Sequence, residues 1–311
     1  MATDGAADLQ RWRAPPVMQL LSTGALLSGN HQNKVWRGMA QVANNHEPCI
    51  PMIVKWVPKH ETLATELACA LAAQALRLNI PAGFLILAQK GELPGIPNRV
   101  TGAPNDLVLC FGSEMHFPDD TVMRPTNAAA AEDWVWQRVC DTPQGPVGGV
   151  WDELVVNDDR HCENVVWDGH RWWLIDHEYS LPSVAKAMKK FTDKVLRQGV
   201  IDDYAKENTL VTETLRRRPK DHKMETLPAN WQGHKVRLEW IADQARNWKT
   251  GLTPVDTVLM MTEMYVRSIV LRLPALALHL NQRMSKPISP ALWNSTTPQP
   301  PSSKPTQRRR V

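Results

Sequence analysis

The chain changes texture once, and that change limits the folds open to it more than any other feature. From about Val17 to Met115 short apolar runs follow one another: MQLL, KVWRGMAQV, IPMIVKWV, GFLIL and DLVLCF. Gly, Asn and Pro signals separate them, which predicts strands rather than helices. One helix interrupts the series. ETLATELACALAAQALRL is rich in Ala and Leu, opens near Glu61 and ends before Asn79 and Pro81. After Phe117 the period becomes helical in NAAAAEDWVWQRVCD, PSVAKAMKKFTDKVLRQ, VRLEWIADQARNW and VDTVLMMTEMYVRSIVLRL. The expectation is an α+β chain with a small strand-rich lobe over 15–115 and a larger helical lobe over 116–285. Residues 1–14 and the basic, Pro/Ser-rich 286–311 read as disordered tails, because they hold too little apolar surface to order themselves.

Composition removes several function classes. The net charge is only +4, and much of the basic excess sits in local clusters such as Arg216–Arg218 and Arg308–Arg310, which argues against a nucleic-acid binder. Five scattered cysteines without a CxxC pair suit reduced thiols in a cytoplasmic protein better than a disulfide framework or a zinc site. No apolar run reaches 18 residues, so no membrane span is expected. The greasiest late segment, YVRSIVLRLPALALHL, contains Arg267, Arg272 and Pro274 and predicts a packed helix with a kink or break. The thirteen Trp read first as core packing.

One stretch in the helical half departs from its surroundings: VVNDDRHCENVVWDGHRWWLIDHE, Val155 to Glu178. Its two β-prone runs, ENVVW and RWWLID, flank Asp168-Gly169, which predicts a hairpin with a two-residue Asp-Gly or Gly-His connection. Folding that hairpin brings Asp159 and Asn164, before the first run, toward Asp176, after the second. Two carboxylates and a carboxamide at one edge form the sparse oxygen set that Mg²⁺ takes when a nucleotide supplies its other ligands. A positive partner exists in the first half. Lys55 lies in the middle of the apolar PMIVKWVP, where an unpaired ammonium would be costly, and Glu66 follows eleven residues later on the Ala-rich helix. A strand Lys paired with a helix Glu is the device that points a Lys at nucleotide phosphates in kinases.

Each element alone has a plain reading: a snorkelling strand Lys, a Glu on the wet side of a helix, an Asp-Arg turn with a surface ion pair. The joint order is what sets them apart. Asn157, Asp159, Arg160, His161 and Asn164, followed by Leu174, Ile175 and Asp176, resemble the N-x-D-x-H-x-x-N and D-R-x-x-x-N segments, each followed by an apolar pair and Asp, of the HipA-like kinases. More distantly they resemble the phosphoinositide lipid kinases. RLNIPAG, after the helix, is similar to the L-G-I-P-x-P of HipA-like proteins, and the likeness spans about Ser22 to Ser180.

The resemblance implies a two-lobed protein kinase-like fold and a set of roles. Asp159 would orient the acceptor hydroxyl and take its proton, with Arg160 and His161 beside it to steady developing charge or the loop itself. Asn164 and Asp176 would hold Mg²⁺, while Lys55, fixed by Glu66, would bind the phosphates of ATP. LSTGALLSGNHQNKVWRG offers Ser28, Gly29 and Lys34 for a phosphate loop, although its glycines do not match G-x-G-x-x-G. LVLCFGSEM is the expected hinge, with backbone groups near Phe111 and Gly112 meeting the adenine. Asp158, His170 and Glu178 receive no functional role, and His170 and His177 read as satisfied hydrogen-bonding residues. The implied acceptor is a Ser or Thr hydroxyl on a protein. A small-molecule or lipid kinase, and a nucleotide-binding pseudokinase-type interaction module, are the alternatives. The family's toxin–antitoxin role implies an antitoxin-like partner, and the lack of the N-terminal subdomain of longer HipA proteins counts against that role.

Overall fold

The structure, a computed structural model, describes residues 11–27, 33–42, 48–97, 107–116, 128–188, 205–220 and 223–284. Ser28 and Gly29 lie outside the described residues, as do most of both predicted tails and the second half of PSVAKAMKKFTDKVLRQ.

The five predicted strands form: β1 (Val17–Leu26), β2 (Lys34–Val42), β3 (Ile50–Trp56), β4 (Gly83–Gln89) and β5 (Leu107–Glu114). They make a closed barrel in the order β1-β2-β3-β5-β4. Four pairings are antiparallel, and the barrel shuts through a short parallel ladder between β1 and β4, Val17↔Leu85 to Gln19↔Leu87. Helix α1 (His60–Leu76) is buried without a break from Leu63 to Ala73. A helix buried on all faces must be small-sided where neighbours approach, and seven of those eleven positions are Ala, Cys or Thr, which is why its sequence shows no polar stripe. It ends at Arg77, held in the left-handed region at φ 59°.

The helical part contains α2 (Ala128–Cys140), α3 (Gln144–Leu154), α4 (Pro182–Met188), α5 (Thr209–Arg217), α6 (Lys223–Gln232), α7 (Lys235–Asn247), α8 (Thr253–Arg272) and α9 (Leu276–Arg283). The break predicted at Pro274 is a 3-10 turn, Leu273–Ala275, between α8 and α9. Among the described residues no helix is long and apolar enough to cross a membrane. Helix α3, QGPVGGVWDEL, escaped the periodicity reading because its Gly and Pro look like loop signals. Its glycines are packing residues. A Cβ at Gly148 would lie 2.6 Å from Leu210 Cδ1, and one at Gly149 2.9 Å from Val211 Cγ2, so α5 comes in against bare backbone. The contact is pinned by Asn208, which caps α5 by accepting from the Val211 amide at 3.0 Å and donates to the Gly149 carbonyl at 2.8 Å. Arg272 of α8 is buried and donates to the carbonyl oxygens of Glu153 (2.9 Å) and Leu154 (2.6 Å), where α3 ends. Residue 155, the start of the stretch rich in charge, is thereby fixed in space.

The hairpin forms from β6 (Val165–Trp167) and β7 (Trp172–Leu174), paired Val165↔Leu174 to Trp167↔Trp172. Its connection has four residues, Asp168 to Arg171, where the sequence predicted two. Asp168 explains the longer turn: its Oδ1 accepts from the amides of His170 and Arg171 at 2.7 Å, and its Oδ2 accepts from the Trp173 indole at 2.7 Å.

Candidate active site

The loop between α3 and β6 is set by buried polar groups. Val156 takes a left-handed conformation, φ 53°, which a β-branched residue adopts only when its surroundings force it. Asn157 then donates from Nδ2 to Asp152 Oδ1 (3.0 Å) and accepts from the Asp159 amide (3.2 Å). Arg160 is 3% exposed. It grips both Asp152 oxygens at 2.9 and 3.0 Å and donates from Nη1 to the carbonyls of Asn164 (2.9 Å) and Ile175 (2.6 Å). One guanidinium thus joins α3 to both ends of the hairpin. Of the two roles expected for Arg160, steadying charge or steadying the loop, only the second fits, because every contact named here is internal and the residue does not line the cleft.

The same loop leaves Asp159 exposed and His161 at the rim. Asn164 donates from Nδ2 to the Asp159 carbonyl at 3.2 Å, which leaves its Oδ1 as the remaining ligand atom. Asp176 follows β7 at φ 59°, a left-handed conformation that Asp tolerates better than most residues.

Lys55 is the last residue but one of β3, between Val35 of β2 and Phe111 of β5. Its Nζ lies 3.1 Å from Glu66 Oε1, 2.8 Å from Asp176 Oδ1 and 2.7 Å from Glu178 Oε2. Glu66 is 3% exposed, and its second oxygen accepts the His177 amide at 3.0 Å, so this carboxylate ties α1 to the segment after β7. Burial alone would lower the Lys55 pKa, but Glu66, Asp176 and Glu178 outweigh it and the net shift is upward. Burial pushes the Glu66 carboxyl up, to about 7, against the opposing pull of Lys55. His177 is buried. Its Nε2 accepts from the Trp151 indole at 3.0 Å and lies 3.1 Å from Arg160 Nη2. Burial, then the Arg160 and Lys55 charges, hold it well below its ordinary 6.5, so it stays neutral.

These groups face one cleft of about 360 Å³. Lys55, Glu66, Asp159, His161, Asn164, Asp176 and Glu178 make its polar side, and Leu27, Val35, Ile53, Phe111, Ile175 and Tyr179 its apolar side. Three expected residues are placed differently. Lys34 is exposed and does not line the cleft: side chains alternate along a strand, and Val35 and the preceding Asn33 take the inward positions. Phe111 and Gly112 cannot offer backbone groups to an adenine from the middle of β5, because that backbone is paired with β3 on one side and β4 on the other. Of the two, Phe111 lines the cleft and Gly112 does not, and the backbone pairing continues to Met115, whose amide donates to the Pro51 carbonyl at 2.9 Å.

Two residues were missed. Glu178 was given no role, yet it binds Lys55 and accepts from Asn33 Nδ2 at 2.6 Å, linking the start of β2 to the segment after the hairpin. The one available signal was an acid two residues beyond Asp176. Asn33 carried none. Glu66, Asp176 and Glu178 each offer an oxygen within 4.8 Å of the others, an acidic set around a single ammonium.

No family model matches the chain, and no curated protein matches it. Among solved structures it is similar to the crystal structure of a proinflammatory kinase, CtkA, of Helicobacter pylori, at 10% identity and a TM-score of 0.46, over 85% of this chain and 96% of that one. A likeness so low assigns neither family nor activity. The HipA resemblance rests on its motifs alone.

Proposed function

We propose that the protein is a phosphotransferase that binds ATP with Mg²⁺ in the cleft beside Lys55 and passes the γ-phosphoryl group to a hydroxyl. One observation carries the reading: a largely buried ammonium on a barrel strand, held by a helix glutamate and by Asp176, shares one cleft with a loop acid, Asp159, and with Asn164, and that cleft has an apolar side. The donor set fits the ion. Asn164 and Asp176 supply hard oxygens, few enough to leave positions for phosphate and water. When bound, Mg²⁺ neutralises charge developing on the phosphate oxygens.

In this reading Lys55 exchanges a carboxylate partner for phosphate oxygens, while Glu66, anchored by the His177 amide, keeps the ammonium in place. Asp159, exposed at the cleft, orients the acceptor hydroxyl and receives its proton. Arg160 and Asn157 hold the loop so that Asp159 and Asn164 keep their spacing. The apolar wall accommodates the base. The assignment of the acceptor to a protein Ser or Thr, and of the protein to the cytoplasm, rests on the sequence resemblance and composition.

Turnover of labelled ATP by the purified protein, with Mg²⁺ and with EDTA, tests the proposal. The expected result is Mg²⁺-dependent turnover that Asp159→Ala lowers by about 10²-fold or more with little change in nucleotide affinity. Turnover unaffected by Asp159→Ala, or no nucleotide binding by the wild type, overturns it.

A further inference from the structure

A second concavity, of about 610 Å³, lies across β5 from the cleft: Ser113 lines the cleft, and the next residue, Glu114, lines this groove. Three arginines far apart in sequence, Arg11, Arg77 and Arg171, line it together with His116. The one acid among the described residues lining it is Glu114, which faces His116 Nε2 at 3.6 Å. Three arginines against one carboxylate give the groove a net positive lining, which favours an anionic occupant.

The cations are also presented. Arg11 lies over the Trp12 ring at 4.5 Å and donates to Gln74 Oε1 at 2.7 Å. Arg171 lies over Trp173 at 5.7 Å, and Trp173 stacks on His116 with ring centroids 4.2 Å apart and planes 4° from parallel. An indole fixes the plane of a guanidinium through its face and leaves the N–H edge, the part that grips a carboxylate, directed elsewhere. Arg77 occupies the left-handed residue ending α1, a position where Gly is the unstrained choice. Leu78, Ala82 and Trp173 give the groove an apolar element suited to side-chain stems.

We propose that this groove docks an acidic, carboxylate-rich segment of a partner protein. The occupant would touch both halves of the molecule, since Arg77 ends α1 and Arg171 precedes β7, and β7 leads within two residues to Asp176. The proposal goes beyond the phosphotransferase reading and does not depend on it.

The test uses the full chain and a short fluorescein-labelled peptide rich in Glu and Asp, with a Lys-rich peptide as control. Anisotropy of the labelled peptide reports binding. The acidic peptide is expected to bind, to weaken as salt rises, and to lose about tenfold or more in affinity on Arg77→Glu with Arg171→Glu. Lys34→Glu, an exposed charge outside the groove, should bind as wild type does. Should the reversal variant melt early, Arg77→Gln with Arg171→Gln carries the same comparison. Wild type that ignores the acidic peptide, or variants that bind it unchanged, overturn the proposal. Single-stranded RNA binding more tightly than the peptide through the same two arginines overturns the choice of occupant.

Discussion

Lys55 touches three carboxylates, and in the proposed function a phosphate displaces one of them. Glu66 is held by the His177 amide, and in the proposed function Asp176 turns to the metal, so Glu178 is the partner that has to give way. Glu178→Gln removes a negative charge from the cleft in which ATP is proposed to bind. ATP affinity, read by calorimetry, should rise by roughly fivefold, about 1 kcal/mol. Weaker binding would instead make Glu178 a direct ligand of the cation. Arg160→Ala tests the buried clamp: Asp152 would be left charged and unpaired, with an expected loss of about 3–5 kcal/mol in denaturant unfolding. A loss within the range of a surface substitution would show that Arg160 does not hold the loop. Lys55, Glu66, Asp159, Asn164 and Asp176 were legible as candidates because of their joint order along the chain, each alone having a plain reading, and all five line the cleft. Glu178 was not, since its partners Asn33 and Lys55 lie far from it in sequence, in the strand-rich part of the chain. The orientation of Arg160 was hidden too, because Asp152 sits on a helix that the sequence did not reveal.

Strand identity followed from local signals, and barrel closure did not. The parallel β1–β4 ladder joins segments separated by β2, β3 and α1, and no residue in either strand announces it. Helix α3 shows the reverse error, a real element hidden by residues chosen for packing. At Gly148 two effects compete. Alanine would raise helix propensity by up to about 1 kcal/mol, but its Cβ would meet Leu210 Cδ1 at 2.6 Å and Leu174 Cδ1 at 3.1 Å. Both neighbours are fully buried and have little room to retreat. Gly148→Ala should therefore destabilise by about 1–3 kcal/mol, and adding Leu210→Ala should cost less than the sum of the single changes. Additive urea midpoints would show that α3 and α5 are not in tight contact here.

The two halves of the molecule are joined through the site: Lys55 to Asp176, Glu66 to the His177 amide, and Leu174 N to the Asn79 carbonyl at 3.0 Å. Two titrations at this junction oppose each other. His177 has a depressed pKa, so the unfolded chain takes up its proton first, and the stability it contributes is lost as pH falls below 6.5. Glu66 has a raised pKa, so its contribution runs the other way, with stability falling as pH rises from 4.5 to about 7. A pH profile of the wild type mixes the two. His177→Gln separates them: its destabilisation should be larger at pH 8 than at pH 5, measured by urea unfolding. An equal penalty at both pH values would mean that His177 is not held neutral.

The sequence by itself determined the division into strand-rich and helical parts, the residues at which charge interrupts apolar runs, and the approximate position of a hairpin, because all of these are properties of short segments. Only the tertiary structure decided which of those charges meet. Barrel closure places Lys55 opposite the hairpin, α3 carries Asp152 under Arg160, and the four-residue turn fixes the register that leaves Asp176 and Glu178 at the cleft. Contacts between residues more than a hundred positions apart depend on how whole elements pack, and a segment read alone contains no record of its distant neighbours.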